Sequence, residues 1–390
     1  MGTLTGLGPL SIDMYLPAFP ALAAEMAADP AAIQLTLATF TVGLAVGQLL
    51  AGPLSDAVGR KWPLMVGLGV YAVAGVSAAL APSVPVLATI RFAQGLGAAA
   101  GIVIARAVVR DRFSGAALAR FFSLLMLVNA VTPIVGPLLG SQLLRVVSWR
   151  GTFVVLAVTG VVLLLAVARI EESLPRSARR GGGLAATRDD VRALLVDGRF
   201  VGYVLVAALP FASLFAYISG STFVLQGVFG LSVQEFGLVF GINSLGTLLA
   251  GAFNTRLLTW FSAQQLLRTG LVVLSVSGLG VLVSAVGGLG LPGILVCLFL
   301  VMAGIGLILP NATTLALDPQ GTRAGSASAL LGVVQSLAGG IAAPLVGSGG
   351  VGTAVPMGVT IAVPALLALA VGHVVLTADG RRGQKSTSAV

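Results

Sequence analysis

The 390 residues hold one cysteine (Cys297), one histidine (His373) and two lysines (Lys61 and Lys385). A single cysteine excludes a disulfide framework, and a single histidine excludes a multi-histidine metal centre and bis-histidine haem. Neither lysine stands in a G-x-x-x-x-G-K-[ST] phosphate loop, so the sequence shows no ATP motor. Charge is scarce too. The 22 basic and 13 acidic side chains make 9% of the chain, against about 25% in a soluble domain. A soluble chain of this length would fold into two or three water-facing domains, and so few charges cannot dress them. With 57% hydrophobic residues and a mean hydropathy of +1.04, this is the composition of a polytopic integral membrane protein. The 52 glycines suit closely packed transmembrane helices. The net charge of +9 reads as basic cytoplasmic loops, not as a nucleic-acid surface.

Apolar stretches of roughly 20 residues cross about 30 Å of hydrocarbon as helices. Twelve are predicted, at 2–22, 32–51, 62–81, 85–106, 117–144, 151–168, 200–226, 235–255, 266–286, 292–316, 324–346 and 353–376. No cleavable leader is expected, because the first stretch lacks a basic flank and carries Asp13. With both termini cytoplasmic, 19 of the 22 basic residues fall on the inside, Arg145 and Arg150 fall outside, and Arg91 lies within a span. The polar segment 169–199 reads as a flexible cytoplasmic linker between bundles 1–168 and 200–376, and 377–390 as a disordered cytoplasmic tail. The halves echo each other: a shift of 207 places Asp111 on Asp318 and Pro137 on Pro344, and a shift of 209 places Gly95 and Gly97 on Gly304 and Gly306. Duplicated bundles with a site at their interface are a common transporter plan.

Four stretches carry chemistry. The loop after span two reads Gly52-Pro-Leu-Ser-Asp56-Ala-Val-Gly59-Arg60-Lys61, where glycine permits a tight turn and the charges offer a latch or only a basic anchor. Span four holds Arg91, Gln94 and Gly95. An intramembrane arginine needs a partner in a cavity, or snorkels from a span end. Arg91 lies about 9 Å below the predicted outer boundary, which leaves both open. Span five holds Pro133, Gly136, Pro137 and Gly140, a pattern that bends a helix and lets a neighbour approach. Span one carries Asp13, the sole acid placed well inside a span. A carboxylate there is costly when ionised, so it is a candidate proton carrier, or else a structural group at a helix break. Its depth of about 14 Å overlaps that of Arg91 within boundary error, which allows a coupled pair.

The 52–61 loop resembles the G-x-L-[S/A]-D-x-x-G-R-[K/R] motif of the major facilitator superfamily; its counterpart, Gly251-Ala-Phe-Asn254-Thr-Arg256, lacks the acid. Arg91-Phe-Ala-Gln94-Gly95 resembles the R-x-x-Q-G motif of proton-driven exporters, and Gly136-Pro137-Leu-Leu-Gly140 the antiporter motif, with Ser141 in place of its final glycine. Ser11-Ile-Asp13-Met-Tyr15-Leu-Pro17, Gly47-Gln48 through Asp56, and Phe215-Ala-Tyr217-Ile-Ser219 through Phe223 and Gln226 resemble the Bcr/CflA branch of multidrug exporters. That resemblance implies an all-α fold of twelve transmembrane helices in two six-helix bundles. It implies a multi-pass protein of the bacterial inner membrane, exchanging a drug-like molecule for protons by alternating access. The proton gradient would stand in place of any cofactor, with a monomer as the expected state. Proton coupling then falls to Asp13 and Arg91. Polar and aromatic residues at matching depth, Tyr15, Phe215, Tyr217, Ser219, Phe223, Asn243 and Gln335, are candidates for contacting substrate, though each ring also serves plain packing. The alternative is a proton-coupled exporter of a metabolite such as an amino acid or sugar. A hydrolase using Ser348 and His373 fails on distance, since the two stand about 35 Å apart along span twelve. A channel would need a ring of like groups.

Overall fold

The computed structural model describes residues 1–179, 184–350 and 352–387. Arg180 and the glycines 181–183 of the linker, and 388–390 of the tail, lie outside the described residues. Every regular element among the described residues is helical. The helices are α1 (Gly2–Asp13), α2 (Phe19–Glu25), α3 (Pro30–Val58), α4 (Lys61–Ala79), α5 (Val84–Arg112), α6 (Gly115–Leu143), α7 (Trp149–Ala168), α8 (Leu184–Val196), α9 (Gly198–Thr222), α10 (Val233–Leu257), α11 (Ala263–Gly287), α12 (Gly290–Leu317), α13 (Ala324–Ser348) and α14 (Val355–Thr387). Eleven of them are long and apolar enough to cross a membrane.

The twelfth span is the first, and it is broken. The continuous helix predicted over 2–22 stops at Asp13, passes through a 3-10 turn at Leu16–Ala18, and resumes as α2. Pro17 and Pro20 supply the cause. Neither has an N–H for the helical ladder, and proline disfavours the α conformation in the residue before it. Neither piece is long enough to span alone.

Two further expectations change. The linker read as flexible contains α8, whose run Leu184-Ala-Ala-Thr-Arg-Asp-Asp-Val-Arg-Ala-Leu-Leu-Val196 is rich in strong helix formers. The tail read as disordered continues α14 through Thr387. Once a transmembrane helix is nucleated, each added residue gains a bond, and no proline follows Pro364 to stop it.

The chain forms two compact units, one of Met1–Leu184 with Ile218–Ile242 and Ala343–Gly352, the other of Ala185–Tyr217, Asn243–Ala342 and Thr353–Val390. In the first, α3 and α5 meet backbone to backbone: a Cβ on Gly43 would strike the Phe92 carbonyl, and one on Gly95 the Phe40 carbonyl. Gly97 lies as close to Gly67 and Tyr71 of α4. In the second, Gly304 packs on Gly270 of α11 and Gly306 on Thr247 of α10. The register that superposes Gly95 and Gly97 on Gly304 and Gly306 therefore exchanges their neighbours. Two residues apart on a helix point about 200° apart, so either order serves both sides.

Gly95→Ala should lower the thermal midpoint of the purified protein, because overpacking a fixed carbonyl costs about 1–3 kcal/mol. Gly69→Ala on α4, where a Cβ meets nothing within 4 Å, should leave it unchanged or raise it.

Candidate functional site

The break in the first span leaves the carbonyls of its last helical turn without ladder partners, and such groups must be satisfied when buried. Arg91 of α5 supplies one partner: its Nη2 donates to Ser11 O at 3.0 Å, and its Nη1 to Gln94 Oε1 at 2.6 Å. The guanidinium lies 4.2 Å from the ring centre of Phe40, 5.2 Å from that of Tyr15 and 5.5 Å from that of Phe153. It is fully buried, which removes snorkelling as an account of it. The Ser11 hydroxyl donates to Leu7 O and lies 2.6 Å from the Tyr71 hydroxyl, and Tyr15 bonds Thr36 at 3.0 Å.

Asp13 closes α1 and is 3% exposed. The expected pairing of Asp13 with Arg91 takes a different form: both serve the same helix end, yet among the described residues no ion pair joins them. The arginine's charge is met instead by the carbonyl end of α1, an amide oxygen and three aromatic faces. The helix against Asp13 is α6. A Cβ on Gly136 would come 2.7 Å from the Asp13 Cβ, and one on Gly140 would strike the Met14 carbonyl. Gly136 and Gly140 thus form the seat of the break, with Pro133 and Pro137 inside the same helix. Ser141, the departure from the motif, donates its hydroxyl to Leu138 O and lies against Gly237 of α10.

At the 52–61 loop, Gly59 takes a φ of +105°, a conformation glycine adopts without strain. The turn aims Arg60 at Asp56 (2.5 Å), Ser55 (2.8 Å) and Asp111 of α5 (2.9 Å). Glu172, just past α7, accepts the backbone N–H of Arg60 at 2.9 Å and of Lys61 at 3.1 Å, and Lys61 Nζ reaches Ala168 O at 2.8 Å. Burial raises the Glu172 carboxyl, but N–H groups of Leu174, Arg60, Lys61 and Ser173 outweigh it and hold the carboxyl below its ordinary value. A Cβ on Gly52 would meet Val103 Cγ1 of α5 at 3.8 Å, an ordinary contact. In the second half, Asn311 Nδ2 donates to Asn254 Oδ1 at 2.6 Å, both buried, at the loop that lacks the acid.

Sequence reading missed Tyr71, Glu172 and the clasp role of Asp111. Nothing in the motif spacing marks a tyrosine on a third helix, and Glu172 stands among polar linker residues. It also missed a pocket of about 380 Å³ between α1 and α6, lined by Thr3, Leu10, Val128, Val131, Thr132 and Val135. Of the residues expected at a substrate cavity, Tyr15 is fully buried in the Arg91 cluster. Ser219 is buried and donates to Ala343 O, and the Phe223 ring lies 6.0 Å from that of Phe19. In the second unit, Asn243 bonds the Tyr217 hydroxyl at 3.3 Å, and Phe215 packs on Phe211 and Gly339. Gln335 is half-buried on α13.

The twelve-span fold and these motif sites define a secondary transporter, not an enzyme. The Major Facilitator Superfamily profile matches residues 1–343, and the chain belongs to that superfamily. It is 40% identical over 370 residues to YdgK of Bacillus subtilis, an uncharacterized MFS-type transporter, covering 94% of this chain and 92% of that one. It is 30% identical over 361 residues to a bicyclomycin resistance protein homolog of Haemophilus influenzae, covering 92% and 90%. The multidrug resistance protein MdtL of Escherichia fergusonii is 28% identical over 331 residues, covering 84% and 82%. These relatives agree with the Bcr/CflA resemblance. Among solved structures, an inward-facing bacterial homolog of the human lysosomal transporter Spinster superposes with a TM-score of 0.78 at 16% identity, over 96% and 95% of the two chains. A D-xylose–proton symporter gives 0.72 at 17%, over 94% and 96%. At such identities the likeness is one of fold.

A carboxyl held below its ordinary value stabilises the fold fully above the carboxylate range, and that share is lost as pH falls through the lowered value. The thermal midpoint of the protein should therefore exceed that of Glu172→Gln by a constant amount near neutrality. The gap should narrow only at the acid end of a series from pH 7 to about pH 3.

Proposed function

We propose that this transporter exports small amphipathic, drug-like molecules in exchange for protons, by alternating access. The observation that carries the reading is Asp13: a carboxyl at the broken end of α1, 3% exposed, with Gly136 of the α6 proline motif against it. An acid so placed is stable when neutral and costly when ionised unless the surroundings change, so its proton is tied to the conformation. Arg91 holds the carbonyl end of the same helix, so a change at Asp13 and a change at Arg91 act on one stretch of backbone. The pocket between α1 and α6, whose lining carries two threonine hydroxyls and no charge, suits the apolar part of a neutral or weakly polar substrate.

The names of the relatives, bicyclomycin resistance protein homolog and multidrug resistance protein, favour a drug-like substrate over a metabolite. The energy source is the proton gradient, with no bound cofactor. The membrane is the bacterial inner membrane, with both termini in the cytoplasm, which the placement of basic residues supports. Two six-helix bundles, 1–168 and 200–376, move as the exchanging bodies, and the protein works as a monomer.

Asp13→Asn mimics the protonated acid. It should insert and fold, lose uphill drug accumulation driven by a proton gradient, and keep downhill exchange of a neutral drug. A protonophore should abolish efflux by the unmodified protein with cellular ATP held constant. Drug binding to the purified protein should release protons, and binding to Asp13→Asn should release none. Uphill pumping and proton release by the mutant would overturn the assignment.

A further inference from the structure

Three glutamines of the first compact unit donate to backbone carbonyls at the end opposite the 52–61 loop. Gln34 Nε2 on α3 reaches Ser219 O of α9 at 3.1 Å, Gln226 Nε2 reaches Pro17 O at 3.3 Å, and Gln234 Nε2 on α10 reaches Ser141 O of α6 at 3.1 Å. Each bond joins one of the first six spans to the outer part of a later one. Small residues let the backbones meet: a Cβ on Gly347 of α13 would lie 2.6 Å from the Ala31 Cα. None of the ion pairs of the described residues falls in this seal. Two of its polar atoms, Gln34 Oε1 and Thr222 Oγ1, are buried without a hydrogen-bond partner. Thr222 leads directly into Phe223–Val228, a π-helical turn that contains Gln226.

We propose that Gln34, Gln226 and Gln234 are the outer latch of the transport cycle, and that the unmet hydrogen bonding of Gln34 and Thr222 keeps it reversible. The proposal rests on the alternating-access reading above. A neutral amide–carbonyl bond contributes little net stability, because water replaces it when the seal parts. A charged pair at the buried position of Gln34 would leave a costly unpaired charge on any partial opening. The orphaned carbonyl and hydroxyl act in the other direction: they are desolvated in the closed state and recover water in the open one. Weak bonds and a standing desolvation cost bring the two states close in free energy, as a protein that visits both requires. The π-helical turn is a rare form that is frequent at functional sites. Pro17, whose carbonyl accepts from Gln226, lies on the 3-10 turn that follows Asp13, so the latch and the acid share one short stretch of chain.

The test uses the full chain with Cys297→Ser and a reporter Ala18→Cys, a fully buried position beside Pro17. Its labelling rate by a membrane-impermeant maleimide applied from outside reads the opening of the seal. Gln226→Ala and Gln234→Ala should each speed labelling about fivefold, the factor that one lost neutral hydrogen bond is worth, and Gly347→Leu, which wedges the backbones apart, should speed it too. Thr222→Val, which removes an orphaned hydroxyl at equal shape, should slow it. Gln142→Ala, an exposed glutamine at the same end of α6, should leave it unchanged. Each variant is first checked for an unaltered thermal midpoint, with Gly347→Ala as the milder form of the wedge. Equal rates across the latch variants, or faster labelling in Thr222→Val, would overturn the latch. A reporter whose labelling ignores an imposed proton gradient would overturn the exchange reading and leave the latch to be judged on its variants.

Discussion

At membrane depth every backbone N–H and C=O must find a partner inside the protein, and a broken helix is tolerated only where neighbours supply them. The rest of the first unit is arranged around that constraint. Pro17 and Pro20 interrupt the first span, α1 ends at Asp13, and a carbonyl of its last turn takes Arg91. Arg91 in turn needs Gln94 and three rings to make its burial tolerable. Gly136 and Gly140 then bring α6 onto the irregular backbone with no side chain between. The acid, the arginine, the glutamine and the proline–glycine run, which look like separate motifs along the chain, satisfy one geometric demand.

The two ends of the first unit are held by different chemistry. At the 52–61 loop, Arg60 gathers Asp56 and Asp111 while Glu172 takes two successive backbone N–H groups. Asp56 is half-exposed there, and charge-assisted bonds in such a setting are strong individually yet screened by solvent and salt. At the far end Arg150 also pairs with Glu25, but the bonds to the later spans are neutral amide–carbonyl ones, buried at Gln34 and part-buried at Gln226 and Gln234. The first kind of contact tolerates water around it; the second depends on keeping water out.

How much of this the sequence carried follows from the range of each signal. Eleven spans and the charge placement were legible because hydropathy over 20 residues and Lys/Arg position are local properties. Arg91 and the 133–140 run were legible as anomalies in apolar stretches. The break after Asp13 entered only as the alternative role for that acid and not in the span 2–22, although Pro17 and Pro20 mark it: apolar composition on both sides of a proline resembles one continuous span. Tyr71 on Ser11, Glu172 on the backbone of Arg60 and Lys61, and Gln34 on Ser219 were illegible for a different reason. Each joins residues between 60 and 185 positions apart, and in two of the three one partner is backbone, which leaves no mark in the side-chain code.

Ser141 and Gly237 carry one more consequence. Serine stands where the antiporter motif has glycine, and the volume its side chain needs is what the missing side chain of Gly237 leaves free. The two positions therefore form a single lock-and-key pair, 96 residues apart in sequence. Neither can drift alone: a side chain added at 237 collides with one already present at 141, and a glycine restored at 141 leaves a void opposite 237. An evolutionary path through this contact must change both positions or pass through a less fit intermediate, so transplanting the motif from a relative one residue at a time would meet epistasis here.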